Sequence, residues 1–196
     1  GVAILNIDQR RADLFPTIDE EDAAGTDIVS ITNGEKGSNL IYMGAFNTPN
    51  CAIYNTATGQ WGQFEAVAQQ TDAMVWYEGS LYTGNYTAGA ITKINFDDPS
   101  RNVILFSMND SIHQQNRVHA LTAGDGKLFA GTMPYSDTYG GAFVMIDLET
   151  LENPFVRNIV QGQSITGLIY SNGYVFGTTS TSGGTGTSGP ESPTDS

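Results

Sequence analysis

The sequence predicts an all-β protein, a β-propeller of four-stranded antiparallel blades, and three observations carry that prediction. Short apolar runs around glycine turns recur at a near-constant spacing: Gly34, Gly79, Gly126 and Gly173 stand 45, 47 and 47 residues apart. The composition, with 23 Gly, 39% hydrophobic and only 15% charged residues, suits strands and tight turns rather than a helical bundle. Runs such as "VILF" (103–106) and "VMI" (144–146) are apolar at consecutive positions, as in strands covered on both faces. Four strands per unit at this period is the pattern of propeller blades, which bury their faces only against one another.

Taken in order, the chain opens with "VAILNID" (2–8), which matches the third strand of a unit. The acidic stretch "LFPTIDEEDAAGTD" (14–27) has room for a single helical turn between Pro16 and Gly25. The first whole unit follows as "IVSIT", "NLIYMG", "CAIYN" and "WGQFEAV". The second is "AMVWY", "SLYTG", "AITKINF" and "NVILFS", and the third is "ALTA", "KLFAG", "AFVMIDLE" and "PFVRNIV". The turns "EGS", "GDGK" and "SNG" offer Gly, Asn and Asp, the residues that accept positive φ in hairpins. "GLIY" and "YVFG" then begin a further unit. The propeller portion is assigned to 1–177, and the Gly/Ser/Thr-rich segment 178–196 to a disordered loop or tail.

The count is half a blade, three blades and half a blade, about four blades' worth. Two arrangements follow. The halves join in a four-bladed ring, or the chain is part of a six- to eight-bladed propeller completed by a second copy or by further chain. Four inner strands crowd the axis, which favours the larger ring.

"GDGKLFAGTMPYSDTYGGAFVMIDLETLE", "QSITGLIYSNGYVFGTTSTSGG" and "YEGSLYTGNYTAGAITKINFDD" together resemble a large group of bacterial multi-bladed β-propeller repeat proteins, often described as quinoprotein-like. The resemblance covers about residues 27–183 and specifies blades more than chemistry. It implies a secreted or surface-attached protein, of a kind often carried beside carbohydrate-active modules. The tryptophan-docking positions of true quinone-binding propellers are not recognisable, so no quinone is implied.

A net charge of −13 repels nucleic acid and anionic membranes. No apolar run is long enough to insert in a membrane. The single cysteine, Cys51, lies in an alternating apolar run and reads as a structural thiol; alone it builds neither a disulfide nor a metal site.

In a propeller, the loops entering the inner strands and those joining second to third strands open on one face around the axis. Seven residues before the turn glycines stand Asp27, Asp72, His119 and Thr166, with Arg117 two residues before His119. The second-to-third-strand loops add Tyr86, Tyr135, Asp137 and Tyr139. Two classes of function fit. In the first, a non-catalytic module binds a carbohydrate or protein partner through Asp27, Asp72, Tyr86, Tyr135, Asp137 and Tyr139, the tyrosines offering flat stacking faces.

In the second, a polysaccharide lyase uses His119 to abstract the proton α to a uronate carboxylate. Arg117 would stabilise the enolate and Tyr135 would protonate the leaving oxygen. A third reading is an assembly module completing a propeller with another chain. Asp27 and Asp72 could also pair for glycoside hydrolysis or hold Ca²⁺, and an Asp at a strand entrance more commonly locks the adjoining loop. No other cofactor is implied. His113, in "NDSIHQQNR", is expected to be solvated, and Asn85 and Asn109 carry sequons that matter only in a eukaryotic source.

Overall fold

The computed structural model describes residues 3–14, 27–67, 70–135 and 138–181. Most of the acidic stretch 14–27 and residues 182–196 of the expected tail lie outside them. Three four-stranded antiparallel meanders follow one another along the chain. The first is β3 (Ile28–Asn33), β4 (Leu40–Ala45), β5 (Asn50–Asn55) and β6 (Trp61–Glu65). The second is β7 (Gln70–Tyr77), β8 (Ser80–Tyr86), β9 (Ala90–Lys93) and β10 (Val103–Ser107). The third is β11 (Gln115–Gly124), β12 (Lys127–Pro134), β13 (Ala142–Asp147) and β14 (Phe155–Arg157).

Two hairpins flank them: β1 (Ala3–Asn6) with β2 (Arg11–Leu14), and β15 (Ser164–Ser171) with β16 (Tyr174–Ser180). Each forms a two-stranded sheet of its own. β16 continues through Ser180, past the Gly177 boundary expected from composition. Among the described residues the one helical element is a 3-10 turn, Pro99–Arg101, capped by Asp98, whose carboxylate accepts from Ser100 N–H.

Local chemistry explains the hairpins. Glu78-Gly79, Asp125-Gly126 and Asn172-Gly173 all have positive φ at both positions, the turn whose twist matches that of the strands it joins. The first meander differs. Its β3–β4 connection is longer, and Gly37, not Gly34, adopts the left-handed backbone. The 45-residue step read from Gly34 is therefore a misregistration of that unit.

The meanders stack through their faces. Tyr42, Phe64, Trp76 and Phe96 interlock between the first and second, with Tyr42 and Trp76 stacked at 5.4 Å. Ile91, Met108, Val118, Val144 and Ile146 fill the joint between the second and third. Phe129 stacks on Tyr170 at 5.8 Å between the third and the β15–β16 hairpin. The turns are tied as well: Gly126 N–H donates to Tyr77 Oη at 2.8 Å, and Tyr170 Oη donates to Asp125, which holds the phenol above its ordinary range.

Cys51 is fully buried against Thr71, and burial pushes its thiol up to about 11. The folded protein should therefore resist an aromatic disulfide reagent at pH 8. One thiol per chain should react after denaturation, so rapid labelling of the native chain would refute this placement.

Candidate functional site

Every inner strand carries a β-bulge at a matched place, and the bulged residue is the one that varies. The register slips at Val29 in β3, Asp72 in β7, His119 in β11 and Thr166 in β15. A bulge re-aims one side chain without disturbing the strand on either side. These four side chains line a single recess of about 320 Å³ between the inner strands, with Ile31, Met74 and Leu121 two residues farther along the same strands. The recess thus presents an apolar group, a carboxylate, an imidazole and a hydroxyl around one opening.

Asp72 is held from two sides. Its Oδ1 accepts from Gln70 Nε2 at 2.5 Å, and Gln70 Oε1 in turn accepts from Asn47 N–H. Its Oδ2 stands 3.2 Å from Arg117 Nε, with the two side chains 6% and 10% exposed. The guanidinium Cζ lies 4.1 Å from the centre of the Tyr86 ring, a cation–π contact. Arg117 is close enough to neutralise the carboxylate, yet no hydrogen bond reaches Asp72 Oδ2. His119 Nδ1 is likewise buried without a partner. Two polar atoms of lining residues thus keep hydrogen-bonding capacity unfilled, which is costly unless something occupies it. Thr166 Oγ1 is engaged by Thr178 at 3.2 Å.

Asp72, His119 and Thr166 thus come together in the recess, with Arg117 and Tyr86 joined to Asp72 behind it. Asp27 does not join them. It is exposed, its carbonyl accepts from Phe46 N–H at 2.7 Å, and the first strand offers Val29 to the recess instead. Asp27 is thus not among the residues that line the recess with Asp72. Among the described residues no group of three acidic, His or Cys side chains could hold a metal.

Tyr135 and Tyr139 belong to the β12–β13 loop, outside the lining of the recess. Tyr135 is half-buried, and Tyr139 is 48% exposed. Asp137 lies outside the described residues. Arg157 clamps this loop, donating to Gly140 O at 3.2 Å, Tyr139 O at 3.0 Å and Gln114 Oε1 at 3.1 Å.

Sequence reasoning missed Arg157 and also a repeated polar bolt. Thr132 Oγ1 donates to Gln115 Oε1 and Thr179 Oγ1 to Gln163 Oε1, both at 2.6 Å. A glutamine at or just before the start of each later inner strand (70, 115, 163) was the signal. Two other expectations are corrected. His113 is only partly solvated: its side chain is 24% exposed, hydrogen-bonds Asp110 at 2.7 Å and wedges edge-on between Phe106 and Phe155. Asn85 is fully buried and its amide is bonded to Thr71, Thr83 and Thr92, so that sequon is not presented.

No family model matches the chain, and no curated protein does. Among solved structures, the chain resembles one described as a nidogen/laminin complex at 12% identity and a TM-score of 0.59. That match covers 76% of this chain and 54% of that chain. It also resembles a luciferin-regenerating enzyme at 14% identity and a TM-score of 0.52, covering 69% of this chain and 46% of that chain. The likeness shows the fold alone, a propeller-type arrangement of antiparallel β-sheets. The chain spans about half the length of the solved structures it matches.

Proposed function

From a chain with a propeller-type β fold, we propose a binding module that performs no chemistry of its own and engages a protein partner across the recessed face. A hydrogen-bond-donating side chain of that partner lodges in the recess. The observation that carries this reading is His119 Nδ1, buried without a hydrogen-bond partner, together with Asp72 Oδ2, which has the Arg117 ion pair but accepts no hydrogen bond, at matched bulges of adjacent strands. A lysine ammonium or a side-chain amide is the kind of donor these atoms lack. A net charge of −13 favours a basic partner and steers its approach. Tyr139, exposed on the β12–β13 loop outside the recess, offers a further contact of the kind that adaptable binding loops use. One of the similar structures is by its description a complex of two proteins, which accords with this use of the fold. On this reading the protein acts at a cell surface or outside cells, as the sequence resemblance implies. No helix among the described residues is long and apolar enough to cross a membrane.

The geometry gives less support to a lyase. The cation needed for the enolate is already engaged by Asp72 and Tyr86, and Tyr135 does not line the recess. An acidic chain would also repel a uronate polymer. The blade count that goes with the binding reading is half a blade, three whole blades and half a blade, in a ring larger than four.

The test is an array of Gly/Ser peptides bearing single Lys, Asn or Gln side chains, beside a glycan array. Both are probed with wild type, His119→Ala and Thr166→Val. Peptide binding that falls about tenfold in His119→Ala, the loss expected for one good hydrogen bond, is the predicted result. Equal binding by His119→Ala rejects the recess as the site. Binding to glycans alone rejects the protein partner.

A further inference from the structure

We propose that Val67 and Ile112 are the apolar anchors of the face around the recess, and that the protein partner covers them with apolar side chains set beside the donor that enters it. This rests on the binding reading of the recess and adds what must surround the donor.

The connections of an antiparallel meander alternate between two ends. At one end stand the hairpin turns and the links from third to fourth strands. At the other stand the links from second to third strands and from each blade to the next. Hydrogen bonds knit this second set into one surface. Asn47 N–H donates to Gln70 Oε1 at 3.1 Å, Asn109 Nδ2 to Thr87 O at 2.9 Å, and Tyr135 N–H to Gln114 O at 3.3 Å. Asp72 and Thr166 are the third residues of β7 and β15, so the recess lies at this same end.

The two ends differ in chemistry. The turn end is charged, with Glu35, Glu78, Asp97, Asp98, Asp125 and Glu149 in its connections. Among the described residues the loop end's connections hold one carboxylate, Asp110. Its oxygens already accept from Ile112 N–H, His113 N–H and the His113 ring.

In place of charge the loop end holds aliphatic groups at a fixed place in the repeat. Counting back three residues from Gln70, Gln115 and Gln163 gives Val67, Ile112 and Val160, which are 41%, 82% and 40% exposed. A single exposed apolar residue is ordinary, but β-branched ones recurring at one loop position of a repeat call for a partner. Val160 also borders the apolar space between Phe143 and Val175, so Val67 and Ile112, each lying between two whole blades, carry the argument. Arg157, donating to Tyr139 O at 3.0 Å, holds a further exposed ring on the same surface.

A surface without charge and set with aliphatic and tyrosine side chains is what the core of a protein interface presents. A second copy is a poor occupant, because each copy carries a net charge of −13. A different protein, bearing apolar side chains next to a hydrogen-bond donor, matches both the recess and its surround.

The test adds one residue to the Gly/Ser peptides that carry Lys, Asn or Gln: Leu, or Ser in its place, at each nearby position on either side of the donor. The probes are wild type, His119→Ala, the double variant Val67→Ser with Ile112→Ser, and Leu151→Ser. Leu151 is 51% exposed at the opposite end and serves as the control. Leu should raise wild-type affinity about tenfold over Ser at one position or more, the gain from burying one such side chain. The double variant, with an unchanged Tm, should lose that gain, and Leu151→Ser should keep it. Added salt should leave the gain unaltered, since no charge contributes to it. His119→Ala should weaken Leu and Ser peptides alike, so an inert His119→Ala rejects the recess while the Leu gain still reports on the anchors. No gain from Leu, a gain that survives in the double variant, or one lost equally in Leu151→Ser overturns the proposal. So does a wild-type dimer in sedimentation, or attachment to phosphatidylcholine vesicles, that the double variant abolishes.

Discussion

Arg117→Met should destabilise the protein by about 3–5 kcal/mol, because it leaves the Asp72 carboxylate buried without its counter-charge. For a chain of this size that is a fall in Tm of about 6–20 °C. The cost comes from the orphaned acid rather than from the lost attraction, since taking two charges out of water nearly cancels their mutual gain. Adding Asp72→Asn to Arg117→Met should recover most of the loss, because a neutral amide keeps the Gln70 contact and no charge remains to be compensated. Urea or thermal unfolding of the two single variants and the double variant closes the cycle. A loss under 1 kcal/mol for Arg117→Met, or costs that simply add, would show that the pair is not coupled.

How legible this was in the sequence differs by residue. The strands and the two-residue turns could be read directly, because Glu-Gly, Asp-Gly and Asn-Gly between apolar runs encode a single kind of hairpin. The varying residue Asp72, His119 or Thr166 could be found because it stands a fixed distance before such a turn. That ruler failed in the first unit. Its β3–β4 connection is longer, so counting back from Gly34 gave Asp27, while the bulge that re-aims a side chain falls on Val29. A bulge is invisible to an alternation pattern, since it adds a residue without changing composition.

Partnerships across blades were also hidden. Arg117 looked available for catalysis because nothing local marks Asp72, 45 positions earlier, as its partner. His113 looked solvated among polar neighbours, although Phe106 and Phe155 from two different blades converge on it. Periodicity reports each strand's own faces. Contacts between repeats depend on how the repeats stack, which no single window contains.

Gly84→Ala should cost about 1–3 kcal/mol, or roughly 2–12 °C in Tm, although alanine is ordinarily the better strand residue. Gly84 lies where β8 meets the inner strand of the next blade. A Cβ there would stand 2.5 Å from Val118 Cγ1 and 3.1 Å from Val118 O. Val118 is fully buried in the joint between the second and third blades, so it cannot swing aside without displacing Ile91 or Val144. Gly131 stands at the matched place, and its Cβ would come 2.3 Å from Ile165 Cγ2. The spacing between blades is thus set by a missing methyl group that recurs with the period of the repeat. At the fourth hairpin the sizes are exchanged, with Gly167 opposite Thr178, and Thr178 is exposed. Gly79→Ala is the control. That glycine has positive φ and no atom within 4 Å, so its substitution carries only backbone strain of about 1 kcal/mol. Combining Gly84→Ala with Val118→Ala should cost less than the two changes summed, because the methyl is moved across the joint rather than added to it. The control would be unaffected by Val118→Ala. Strict additivity at Gly84 would mean that the close approach of the blades does not depend on this glycine.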